Sequence, residues 1–193
     1  MTKLIMLLVL LVGTAAHADS KMGLMGSLLF NTVEIDGQNP SKLEENSEIG
    51  FGIGMRALLT LNDRLYLRTG AGIVKKAFGL ETSTGPQGDI DVSIIYLNIP
   101  ATLYLKASPQ VGIFAGTAIN AKLSDDVEGG GSLANATDDA NDTESMVFPA
   151  ILGFEFMFNE QISLELSYEY GIMESAKDLK VSSLVTSLVY NFE

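Results

Sequence analysis

Apolar and polar residues alternate with a period of two along most of this chain, and the alternation falls into eight blocks. The clearest is 162–172, where Ile162, Leu164, Leu166, Tyr168 and Tyr170 alternate with Ser163, Glu165, Ser167, Glu169 and Gly171. Successive side chains of a strand point to opposite faces, so this block has one apolar and one polar face. The last block, 180–192, sets Leu184, Leu188, Tyr190 and Phe192 against Ser183, Val185, Ser187, Val189 and Asn191. Residues 48–60, 65–76, 90–105, 111–122 and 146–158 read the same way, and in several of them glycine occupies the less apolar face. The first block, 21–31, is ambiguous, with Leu24, Leu28 and Phe30 on one face and Met25, Ser27 and Leu29 on the other. No window reads as a helix.

The connections alternate in length. Residues 32–47, 77–89 and 123–145 are long and 173–179 is of medium length, whereas 61–64, 106–110 and 159–161 are tight turns. An even number of strands joined alternately by short turns and long loops is the pattern of a transmembrane barrel, whose strands need ~9–11 residues to cross. A soluble eight-stranded barrel with its apolar face inside is the rival reading. Three features favour lipid outside. The loops are asymmetric. The opposite face, rich in Gly, Ser and charge, would make a poor soluble core. Aromatics on the apolar face gather at strand ends, with Phe30, Phe51, Phe148, Tyr168 and Tyr170 toward the long loops and Phe156, Phe158, Tyr190 and Phe192 toward the short turns.

The N-terminus changes the picture further. Lys3, the apolar run Leu4 to Val12 and the ending Ala16-His17-Ala18 read as a cleaved signal peptide over residues 1–18. An uncleaved anchor is the competing reading, and a run this short falls well below the ~20 residues a spanning helix requires. The expected mature domain is 19–193. Cleavage removes Lys3 and no acid, which takes the net charge from −12 to −13. So acidic a product is unsuited to nucleic acid, whose phosphates demand clustered Lys and Arg. There is no cysteine, and the only histidine, His17, leaves with the signal peptide. Most nucleophile–base pairs and transition-metal sites are thereby excluded, so neither an enzyme nor a cofactor is expected.

The stretch Tyr96-Leu97-Asn98-Ile99-Pro100 resembles the Tyr-Leu-x-Ile-Pro strand of the outer-membrane β-barrel-domain family, and the whole mature chain resembles its small eight-stranded barrels of the OmpA and OmpX type. The resemblance implies an all-β, antiparallel, up-and-down transmembrane barrel in a bacterial outer membrane. The Tyr190-Asn191-Phe192 ending is similar to the signal such proteins present to the barrel-assembly machinery; here Glu193 follows the aromatic. The expected partners are outer-membrane lipid, lipopolysaccharide and that machinery, and the expected state is a monomer.

Depth counted from the short turns places Arg56, Arg68, Glu155 and Glu165 at a similar height on the inward face. They form a candidate interior charge network, because a buried charge must be paired. Glu169 lies higher, within reach of Lys76 or Lys122. A structural plug and an ion gate are both consistent with such a network. The inward glycines admit two readings as well, tight coiling of the wall or spare room in the lumen. Of the 24 acids, 17 lie in or beside the four longer connections. Asp125, Asp126, Asp138, Asp139, Asp142 and Glu144 have the chemistry to hold Ca²⁺, but their spacing matches no calcium-loop motif and a solvated loop is the plainer reading. Two functions stay open, a structural or surface-interaction barrel and a narrow porin-like conduit.

Overall fold

The computed structural model describes residues 20–35, 43–82, 89–129, 144–172 and 179–192. The expected signal peptide, Gly85-Pro86, Asp138, Asp139, Asp142 and Glu193 fall outside them. Ten strand segments are present among the described residues: β1 (Ser20–Ile35), β2 (Leu43–Ser47), β3 (Ile49–Thr60), β4 (Leu65–Thr82), β5 (Asp89–Lys106), β6 (Val111–Gly129), β7 (Met146–Val147), β8 (Ala150–Met157), β9 (Ile162–Tyr170) and β10 (Leu179–Asn191). β2 continues β3 along β4 across a one-residue bulge at Glu48. β7 continues β8 along β6 across Phe148 and Pro149, and proline has no N–H to give the ladder. The wall therefore has eight strands, ordered β1-β3-β4-β5-β6-β8-β9-β10, and β10 pairs β1 to close it. Every pairing is antiparallel.

The register fixes the shape. From Lys21, cross-strand partners run through Leu58, Arg68, Thr102, Gly116, Ile151, Glu169 and Ser183 and return to β1 at Asn31, ten residues beyond the start. With a rise of ~3.3 Å per residue and strands ~4.8 Å apart, that offset tilts the strands by about 40°. The outward apolar run on β5 from Ile95 to Leu105 then covers about 25 Å along the axis, the height of the apolar band of an outer-membrane barrel.

The faces sort as the alternation demands. Leu28, Ile53, Ile73, Leu103, Leu152 and Leu188 are all at least half exposed on the outside. Arg56, Arg68, Asn98, Glu155, Glu165 and Ser187 are buried inside. The first block, ambiguous in sequence, turns Leu24, Leu28 and Phe30 outward and Leu29 and Asn31 inward.

The three short turns share one device. Asn62 accepts from the amides of Arg64 and Leu65, Asn159 from those of Gln161 and Ile162, and Ser108 from those of Gln110 and Val111. A side-chain acceptor satisfies the turn amides in place of the ladder.

Strand lengths depart from expectation at the long-loop end. β4 runs on to Thr82 and β6 to Gly129, where loops were expected from 77 and 123, and β2 lies inside the expected loop 32–47. The physical reason is a reversal of polarity. On β5 the outward positions Asp91 and Ser93 precede the apolar run, while the inward Val92, Ile94 and Tyr96 are each 1% exposed. Above the apolar band the outside faces water and the inside is dry, so a search for outward apolar residues stops too early.

Candidate functional site

Two arginines stand on one side of the lumen and two glutamates on the other. β3 and β8 are four strands apart in a ring of eight, and so are β4 and β9. Arg56 on β3 and Arg68 on β4 thus face Glu155 on β8 and Glu165 on β9 across the full diameter. Glu155 and Glu165 are direct cross-strand partners on the same face, an arrangement that repels by itself. Arg56 resolves it. Its Nη1 donates to Glu155 Oε1 at 2.7 Å and to Glu165 Oε1 at 2.5 Å, and its Nη2 donates to Asn191 Oδ1 at 2.6 Å. Arg68 holds Glu165 in a fork, Nε to Oε1 at 3.2 Å and Nη2 to Oε2 at 2.5 Å. Two-point pairing of this kind is the strongest ion-pair geometry for arginine. The Arg68 guanidinium also stacks 4.4 Å from the centre of the Phe114 ring.

Second contacts fix the carboxylates. Ser163 Oγ donates to Glu155, and the Tyr104 hydroxyl is hydrogen-bonded to Glu155 as well. Glycine makes room for these rings. A Cβ at Gly112 would collide with the Tyr104 phenol, and one at Gly153 would lie 2.6 Å from the tip of Phe114. Those inward glycines are seats for aromatic side chains.

Above the network lies a cavity of about 40 Å³ lined by Ser27, Asn98, Arg68, Glu165, Ser167 and Ser187, among others. Ser27 and Ser187 are hydrogen-bonded across β1 and β10 at 2.8 Å. Higher again, Lys76 Nζ on β4 donates to Glu169 Oε2 on β9 at 2.7 Å, a second ion pair across the diameter. Asn98 Nδ2 donates to Asn120 Oδ1 at 2.6 Å, and Asn31 is held by Ser183 and the Ala77 carbonyl. Over this layer come Val33, Phe78, Val92, Ile94 and Val181, all on the inward face and at most 3% exposed.

The structure brings together all five residues singled out in sequence, in two separate groups. Lys76 takes Glu169, while Lys122 pairs with Asp125 in its own strand at 3.1 Å. Sequence reasoning missed Tyr104, Ser163 and Asn191; each shares the inward parity and depth of the charges, and that coincidence was the available signal. It missed the apolar upper layer too. Tyr190 and Phe192 point outward, half exposed, with ring centres 5.9 Å apart, and the Phe192 amide donates to the Met22 carbonyl. Among the described residues no group of three or more acids, histidines or cysteines is placed to hold a metal ion. At the outer rim the Glu48 carboxyl is pushed above the usual carboxylate range. Partial burial contributes most, then the hydrogen-bonded Asp91 carboxyl; Lys75 pulls the other way.

Comparison with known proteins agrees with this fold. Neisserial surface protein A superposes with a TM-score of 0.53 at 13% identity, covering 89% of this chain and 97% of that one. Ail of Yersinia pestis, in complex with the heparin analogue sucrose octasulfate, superposes at 0.51 with 15% identity, covering 90% and 99%. Both are similar in fold. No curated protein matches the sequence. Residues 4–192 match the outer membrane protein beta-barrel domain, and with nearly its whole length accounted for the chain belongs to that family of the bacterial outer membrane.

Proposed function

We propose that this protein is a non-conducting outer-membrane barrel with a structural and surface-interaction role, working through its acidic long-loop end. One observation carries the reading. The Arg56, Arg68, Glu155 and Glu165 side chains cross the lumen between opposite walls, and all four residues are at most 5% exposed. A water-filled conduit would leave such charges hydrated. The concentration of acids in the longer connections supports assigning recognition to that end. In this reading the chain is exported by its first 18 residues, shows Tyr190 and Phe192 to the assembly machinery, and sits as a monomer among lipid and lipopolysaccharide.

The second reading is a narrow conduit for small solutes. The mid-lumen cavity favours it. Conductance of the refolded protein in a planar bilayer separates the two. A silent bilayer with verified insertion is expected. Regular single-channel openings of the wild type would overturn the closed-lumen reading and leave the conduit.

A further inference from the structure

The ion-pair network is not the lumen's sole barrier. The interior changes chemistry three times along the axis. At the short-turn end is the charged layer of Arg56, Arg68, Glu155 and Glu165. At mid-height a cavity of about 40 Å³ is lined by polar side chains, Ser27, Ser167, Ser187 and Asn98 among them, and by apolar ones such as Leu29 and Val185. Above it the Lys76–Glu169 pair crosses the lumen, and over that pair lies the apolar layer. Phe78 and Val92 are cross-strand partners there, as are Val33 and Val181.

We infer that the barrel encloses a hydrated chamber at mid-height that is closed independently at both ends, by charge toward the short turns and by apolar packing toward the long loops. The inference rests on the closed-lumen reading above and deepens it. A cavity with polar groups on its wall fills with water when each molecule finds about 10–15 Å³ and two or more polar partners. By that measure the chamber holds roughly three waters. Their partners are the Ser167 hydroxyl, the Asn98 side chain and the Glu165 and Glu169 carboxylates on its lining. A separate space of about 10 Å³, lined by Asn120, Lys76 and Tyr96, takes one more. Asn120 Nδ2 has no hydrogen-bond partner among the described residues, and buried polar atoms of this kind are normally satisfied by ordered water.

The two closures share no residue, so each should open alone. Removing the charged layer exposes the chamber from the short-turn side and leaves the apolar layer shut. Removing the upper layer does the reverse. Neither change by itself makes a pore.

The test uses one reporter. The chain has no cysteine, so Ser167→Cys places a unique thiol on the chamber wall. It is combined with a lower set (Arg56→Ala, Arg68→Ala, Glu155→Ala, Glu165→Ala), an upper set (Lys76→Ala, Glu169→Ala, Phe78→Ala, Ile94→Ala), or both. Each lower or upper set removes both signs of charge, so no carboxylate is left buried alone. Folding is checked by the gel mobility of the unheated barrel. If the lower set does not fold, Arg68→Met with Glu165→Gln replaces it; if the upper set does not, Phe78→Ala with Ile94→Ala does. A membrane-impermeant thiol reagent is added from one side of a vesicle, and conductance is read in parallel.

The single-thiol protein should label slowly from both sides. The lower set should raise labelling at least tenfold from the short-turn side only, and the upper set likewise from the long-loop side only. Both variants should stay silent in the bilayer, and the combination should conduct. Conduction by the lower set alone would overturn the second closure while leaving the wild-type lumen closed. Failure of the introduced thiol to label in a conducting combination would overturn the chamber. Conduction by the wild type would overturn the closed-lumen reading itself.

Discussion

The band-spanning tier and the tier above it are built from the same continuous strands with opposite polarity. On β5, Ile95 to Leu105 put apolar residues outside while Asn98 and Thr102 face in. Two residues higher, Asp91 and Ser93 face out while Val92 and Ile94 are buried. On β10 Leu184 and Leu188 are exposed outside in the lower tier, and above them Val181 is buried on the inward face over Ser183. Bulges at Glu48 and on β6 opposite Tyr96 interrupt the ladder near the boundary, but β5 keeps its own alternation through it. The solvent outside the wall decides which side chains each face can carry. In the lower tier lipid takes the apolar surface and the interior must be held by paired charge. In the upper tier water surrounds the wall and the interior is held by burial, as in a soluble protein.

The two interiors should fail differently. Arg56→Ala leaves two buried carboxylates short of a partner and should cost about 3–5 kcal/mol, read from urea unfolding in lipid vesicles. Removing Glu155 and Glu165 along with both arginines should cost less than that single change, since no charge is then stranded. A single change that proves nearly neutral would break the claim that the lower tier is held by charge. In the upper tier Phe78→Ala should cost about 3–5 kcal/mol by loss of packing.

The outer surface sharpens the same contrast. Leu152→Arg on the lipid face should destabilise by about 2–4 kcal/mol, as cations do near the bilayer midplane. Ser93→Arg, outward on β5 above the band, should fall within about 0.5 kcal/mol of wild type. Equal effects at the two sites would remove the boundary.

The smallest expected effect is at the rim. Glu48 has its carboxyl pushed up in the folded barrel by partial burial and by Asp91. The folded state therefore binds protons more readily than the unfolded one, and stability falls as pH rises through that window. Glu48→Gln should be as stable as wild type or slightly more so at neutral pH, with the gap closing on acidification.

The lower tier could be read from the chain because its two demands coincide. Period-two alternation gives the lipid face, and depth counted from Leu61, Asn159 and Ile162 puts Arg56, Arg68, Glu155 and Glu165 in one layer. The geometry within the layer could not be read. Alternation says which face a side chain takes but not its partner, so parity and depth place Asn191 and Ser163 beside the charges without pairing them with Arg56 and Glu155. Lys76 and Lys122 looked equivalent toward Glu169 because only register separates them, and the bulge beside Tyr96 sets Lys122 against Asp125. The upper tier was hidden by its own logic. Leu43-Glu44-Glu45 reads as a polar loop until the outside of the wall is known to be wet there, and Phe78 looks isolated until Val92 is paired with it.

Spin labels placed one at a time on the outward face of β5, from Asp91 through Ser93, Ile95, Leu97 and onward to Leu105, would locate the boundary directly. Labels from Ile95 to Leu105 should relax with oxygen and be shielded from a polar nickel reagent, while those at Asp91 and Ser93 should show the opposite. A label at Ser93 as deep in lipid as one at Leu97, or one at Leu97 in water, would mean that the polarity switch does not follow the membrane and that the two tiers are not what separates these interiors.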